Sequence, residues 1–143
     1  MSRPRPDARP DARLDGGLAL AAAVVVLVTL LPDGGGWTWG APLAELHWYA
    51  TGLDSTATML QLVGNLLLLA PAAVLAVLRW PALRAPGRLV LASGAAAGGI
   101  ELLQWLLPLG RVVSPLDALL NTVGAVVAGG IVLLLRAPAP SAA

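Results

Sequence analysis

Residues 100–124 read IELLQWLLPLGRVVSPLDALLNTVG. Two apolar segments flank a connection in which Pro108, Gly110 and Pro115 stop any helix from running through, so the chain turns there. Glu101 and Gln104 lie near the end of the first segment. Arg111 sits in the connection, and Asp117 and Asn121 open the second segment. Ionisable groups inside an apolar stretch are costly, and they mark a functional site or a specific pairing. The reading that follows is a hairpin of two membrane helices carrying most of the polar groups at membrane depth.

The rest of the chain has the same character. Its 143 residues are 57% hydrophobic and only 12% charged, where a soluble domain carries roughly a quarter charged residues. The mean hydropathy is +0.79. A formal net charge of +1 gives no reason to expect nucleic acid as a partner. Cys is absent, which excludes disulfides, thiolate catalysis and Cys-ligated metal sites. Lys and Phe are absent too, and the excess of Ala, Gly, Pro and Arg fits the codon bias of a GC-rich bacterial genome.

Four apolar segments are expected to span a membrane: about 16–31, 57–78, 89–107 and 116–135. Residues 1–15 are rich in Arg, Pro and Asp and read as a disordered tail, as do residues 137–143. No small-x-small cleavage pattern follows the first span, so it reads as an uncleaved helix. Between the first two spans lie Asp33, Glu45 and Asp54 with Trp37, Trp39, Trp48 and Tyr49, aromatics suited to the headgroup layer. His47 stands among them without a second ligand cluster and reads as a surface residue. Gln61, Asn65 and Pro71 interrupt the second span. The fold class is therefore all-α, an integral membrane four-helix bundle occupying residues 16–136. It has no soluble domain.

Basic residues orient such a bundle. Arg3, Arg5, Arg9 and Arg13 precede the first span, Arg79, Arg84 and Arg88 separate the second and third, and Arg136 follows the fourth. The other two connections hold Arg111 alone. Both termini are expected in the cytoplasm, with the polar hairpin at the outer face of the cell membrane.

Glu101 and Gln104 share a helical face, and Asp117, Asn121, Gly124 and Ala128 follow one face of the last span. An antiparallel hairpin sets Gly98 near Gly124 or Ala125, and Gly94 near Ala128 or Gly129, allowing close approach. Eight large aliphatics in the third span, at about −0.5 kcal/mol each, give roughly −4 kcal/mol for insertion. A Glu near the helix centre offsets up to about 3 kcal/mol of this. Glu101 therefore needs a partner, protonation or water, and Arg111, ten positions on, is the expected partner. Asn65 is expected to complete the cluster. Asn and Gln also act as plain glue between membrane helices, at about 0.6 kcal/mol each, and Asp117 has the place of a helix cap.

The order N-L-L-L-L-A-P at Asn65 to Pro71, I-E-L-L-Q, G-R, S-P-L-D and N-T-V-G resembles the VanZ-like family of small bacterial membrane proteins. NLLLLAPAA departs from the usual family pattern of an aromatic before the Pro and a Gly after it. The resemblance implies motif positions at Asn65, Pro71, Glu101, Gln104, Arg111, Asp117, Asn121 and Gly124. It also implies a family whose named member gives low-level teicoplanin resistance.

Three functions are compatible with these residues. The favoured one is a membrane protein that binds an amphiphilic ligand at the outer leaflet: a lipid headgroup, a lipid-linked cell-wall precursor or a glycopeptide. Asn65, Glu101, Gln104, Arg111, Asp117 and Asn121 would be its ligand-binding residues, Arg111 contacting a phosphate or carboxylate. Trp37, Trp39, Trp48 and Trp105 would form an apolar rim. A membrane-embedded enzyme would use Glu101 as general acid or base, though no catalytic residue is assigned. A proton-coupled transporter would use Glu101 as the proton site. No cofactor, metal or nucleic acid is expected.

Overall fold

The computed structural model describes residues 11–136. The expected tails at residues 1–10 and 137–143 lie outside the described residues. Helix α1 covers Ala12–Leu30, followed by strand β1 (Trp37–Trp39) and a short helix α2 (Pro42–Thr51). The second span is α3 (Thr56–Leu68) and α4 (Ala70–Arg79) in series. A 3-10 turn at Pro81–Arg84 leads to α5 (Pro86–Leu106), then strand β2 (Arg111–Val113) and α6 (Pro115–Leu135). Four stretches, Ala12–Leu30, Thr56–Arg79, Pro86–Leu106 and Pro115–Leu135, are long and apolar enough to cross a membrane. The chain is a membrane protein built on four apolar helices.

Proline sets most of the boundaries. Pro42, Pro86 and Pro115 begin α2, α5 and α6, where a missing N–H leaves nothing unpaired. Leu31, held extended before Pro32, ends α1. That helix begins at Ala12 rather than Gly16, because no proline lies between Pro10 and Pro32. Residues 12–15 thus belong to the helix and not to the tail. Asp15 joins it to α4 through an ion pair with Arg79, 2.7 Å long. In the second span Pro71 cannot donate a backbone hydrogen bond. Leu69, between α3 and α4, keeps a right-handed helical conformation (φ −94°, ψ −6°), so the span is interrupted without reversing.

Helix α6 is the central element, packed against α3, α4 and α5, while α1 lies mainly on α4. The central buried cluster is small: Leu69, Ala73, Ala97 and Ala125, with Val25, Ile100 and Ala118 against it. Large aliphatics such as Leu91 and Leu134 point outward, 74% and 77% exposed. That is the distribution for a bundle whose solvent is lipid.

The close approaches differ from the expected ones. Gly94 and Gly98 face open space. The side of α5 that is buried instead carries Leu89, Ser93 and Ala97. Gly124 meets α3, since a Cβ there would overlap the Leu66 carbonyl. Gly129 does lie against α5, with Leu89 Cδ2 2.9 Å from the place of a Cβ. One position along a helix is a rotation of about 100°, so counting residues from the turn does not settle which residues face a neighbour.

The segment 33–56, read as an interfacial loop, is more ordered than that. β1 and β2 pair in parallel, Trp37 with Arg111, Thr38 with Val112 and Trp39 with Val113. Asp33 N–H to Leu109 C=O and Gly110 N–H to Gly36 C=O, both 2.7 Å, extend the pairing. Gly110 has φ +70°, and a Cβ would sit 2.7 Å from the Gly34 backbone, so both conformation and space require glycine there. The two connections at this end of the bundle are thereby joined.

Gly124→Ala is expected to destabilise the bundle by about 1–3 kcal/mol through overpacking. Gly98→Ala, with open space around its Cβ, should stay within about 0.5 kcal/mol of wild type. Denaturant titration of both variants in mixed micelles checks the contrast.

Candidate functional site

Helix α6 enters the site through a capped first turn. Ser114 precedes Pro115, and its Oγ accepts a hydrogen bond of 3.2 Å from the Asp117 N–H. The same hydroxyl donates to Glu45 Oε2 of α2. The Ser114 backbone N–H donates to Glu101 Oε2 of α5 at 2.7 Å. One residue, 1% exposed, therefore joins α2, α5 and α6.

Asp117, one turn into α6, accepts from three side chains. Asn65 Nδ2 and Tyr49 Oη donate to Oδ1, the latter at 3.4 Å, and Gln61 Nε2 donates to Oδ2 at 3.1 Å. A carboxylate is acceptor-only, so this donor set matches it. Gln104, almost fully buried, donates from Nε2 to the Thr29 carbonyl at 3.0 Å and ties α5 to α1. Asn121 is 2% exposed, and its Oδ1 has no hydrogen-bond partner among the described residues. Such orphaned buried groups are rare and call for an explanation.

Arg111 does not pair with Glu101. Its Nε and Nη2 donate to the Leu31 carbonyl at 3.1 and 2.9 Å, and Nη2 also reaches the Val28 carbonyl at 3.2 Å. The last carbonyls of a helix have no partner within it and form its negative end, so a guanidinium there meets both needs. Glu101 takes the Ser114 N–H instead. Among the described residues the Arg79–Asp15 contact is the only ion pair, at the opposite end of the bundle.

The six residues singled out from the sequence, Asn65, Glu101, Gln104, Arg111, Asp117 and Asn121, all line one cavity of about 420 Å³. Thr29, Asp33 and Gln61 add to its wall. Four groups that shape the site escaped the sequence reading as members of it: Glu45, Tyr49, Gln61 and Ser114. Gln61 stands one helical turn before Asn65, a spacing that places both on one face. S-P-L-D is a capping sequence. Glu45 and Tyr49, four apart after Pro42, are the inward face of α2, while Leu43 and Leu46 are exposed. Of the expected aromatic rim, Trp39 packs on Trp105 with centroids 6.3 Å apart, and Trp48 packs on Tyr49 at 5.1 Å. Among the described residues no three His, Cys, Asp or Glu side chains are grouped as metal ligands.

Tyr49, on α2 outside the spans, has its hydroxyl pushed up to about 12, chiefly by burial and then by the Asp117 carboxylate. The protonated phenol is the form held in the folded state. Its stabilising contribution is complete below pH 10 and is lost as the pH rises from about 10 to about 12. Tyr49 is the single tyrosine of the chain, so absorbance titration of the phenolate reads it directly. The midpoint should fall to about 10 in denaturant, and the alkaline loss of stability over this window should vanish in Tyr49→Phe.

A family model described as VanZ/LLP1 matches residues 18–136. No curated protein and no solved structure matches the chain.

Proposed function

The chain belongs to the VanZ/LLP1 family, and we propose that it holds the polar head of a membrane amphiphile in the cavity at the hairpin end of the bundle. The observation that carries this reading is the convergence of six polar side chains from three spans and one connection on a single cavity. Its volume of about 420 Å³ lies within the range of small-ligand sites, about 300–1,000 Å³. Aliphatic side chains cover the outside of the helices. An amphiphile is the ligand class that fits both surfaces, its chains lying along the helices and its head reaching the polar wall.

The arginine distribution supports placing this end at the outer leaflet of a bacterial plasma membrane. The up-and-down order brings Arg13, Arg79, Arg88 and Arg136 to the other end, which is the cytoplasmic side by the positive-inside rule. In a cell, the activity would serve envelope maintenance. Tolerance to a teicoplanin-type glycopeptide is the phenotype that the family resemblance implies. Candidate ligands are a lipid, a lipid-linked cell-wall precursor and the glycopeptide itself.

Asn121→Leu tests the site without dismantling it. Replacing a buried, unpartnered amide by an apolar group of similar size is neutral or stabilising. Wild-type protein should retain lipid when released from micelles in native mass spectrometry, and Asn121→Leu should retain at least tenfold less at unchanged stability. In a glycopeptide-sensitive host, the wild type should raise tolerance and the variant should not, at matched membrane levels. Equal retention by both proteins would remove the cavity from the function. A reporter fused to the C-terminus and active only outside the cytoplasm should remain inactive.

A further inference from the structure

The hydrogen bonds already made in the cavity show which atoms are left for a ligand. Gln61, Asn65 and Gln104 each turn the amide nitrogen onto a protein acceptor, the first two onto Asp117 and the third onto the Thr29 carbonyl. An acceptor opposite the amide assigns its two ends. The side-chain carbonyl oxygens of these three residues accept no hydrogen bond among the described residues, and Gln104 is more than nine-tenths buried. Glu101 uses Oε2 for Ser114 and leaves Oε1 unmatched. Asn121 Oδ1 is buried with no partner. On the donor side, Nε and Nη2 of Arg111 are engaged by carbonyls of α1 and the Tyr49 hydroxyl by Asp117, while Nη1 of Arg111 and the second N–H of each of the three amides make no hydrogen bond among the described residues.

The wall thus offers both unmatched acceptor oxygens and unmatched N–H groups, and its charge decides between ligand classes. The lining also holds three carboxyl groups, Asp33, Glu101 and Asp117, against the one guanidinium. A phosphate monoester, itself negative, would face this excess of carboxyl groups. A quaternary ammonium has the right charge but no N–H. A primary ammonium offers three donors, no acceptor and a positive charge.

Resting on the headgroup reading of the cavity, we propose that the group it takes is a primary ammonium, borne by a lipid headgroup or by a soluble amine. The position that the sequence assigned to a phosphate- or carboxylate-binding Arg111 is thereby reassigned. Arg111 closes the end of α1 and forms the wall, and acceptor oxygens of Gln104 and Glu101, with the amide of Asn121, receive the ligand. Complementary charge and donors against unmatched acceptors give specificity.

The test uses the full chain purified in micelles, titrated calorimetrically with short-chain phosphatidylethanolamine, its N-trimethylated counterpart phosphatidylcholine, phosphatidylglycerol and free ethanolamine. Phosphatidylethanolamine should bind at least tenfold more tightly than the other two lipids. Glu101→Gln can still accept from the Ser114 N–H but places an amide N–H where the second oxygen was, and should abolish that preference. If this variant does not fold, the wild-type series decides alone. Free ethanolamine that displaces the lipid at comparable concentration identifies a soluble amine as the source. Failure to displace it identifies a lipid, and both results sustain the ammonium assignment. Phosphatidylcholine or phosphatidylglycerol binding as tightly as phosphatidylethanolamine would overturn that assignment while leaving a headgroup site in place. If none of the three lipids binds, both readings fall.

Discussion

Ser114 is where the hairpin end of the bundle is joined. Its hydroxyl caps α6 and reaches Glu45 of α2, and its N–H holds Glu101 of α5. Without that N–H, the carboxyl of Glu101 would sit in an apolar helix with no partner. Without the hydroxyl, α2 would lose its polar contact with α6 apart from the long Tyr49 bond to Asp117. The remaining polar contacts at this end are arranged around this point, because Asp117, three residues on, gathers Tyr49, Gln61 and Asn65.

A second constraint acts on the backbone. In a medium without water, each N–H and C=O needs a partner within the protein. The connection between α1 and α2 and the one between α5 and α6 satisfy each other by pairing as two short parallel strands. The open end of α1 is closed by Arg111, and the Thr29 carbonyl takes a second bond from Gln104. Helix α1 has few packing partners besides α4, so these polar contacts fix its position over the cavity.

These structural bonds shape the chemistry of the cavity. Each amide that holds helices together through one N–H keeps its oxygen and its second N–H, so one side chain serves packing and still offers polar atoms. The residues that join the helices are thus also residues that line the cavity. Asn121 stands apart, since its Oδ1 does no packing work through hydrogen bonds and lies at the wall of the space.

The sequence by itself determined the four apolar helices, the hairpin and the family motif. Apolar length and helix-breaking residues are local properties, and depth follows from counting about 1.5 Å per residue from a turn. It also singled out Asn65, Glu101, Gln104, Arg111, Asp117 and Asn121 as one group at this end of the bundle. Tertiary structure alone decided which way each of them faces. Arg111 and Glu101, expected as partners, bind α1 carbonyls and the Ser114 N–H respectively. Ser93 and Ala97, not Gly94 and Gly98, lie on the buried side of α5, and Gly124 approaches α3. Strand pairing between two distant connections and the inward turn of Glu45 and Tyr49 were likewise set by packing. The reason is geometric: height is set along one chain, whereas azimuth changes by about 100° per residue and is settled only when neighbouring helices meet.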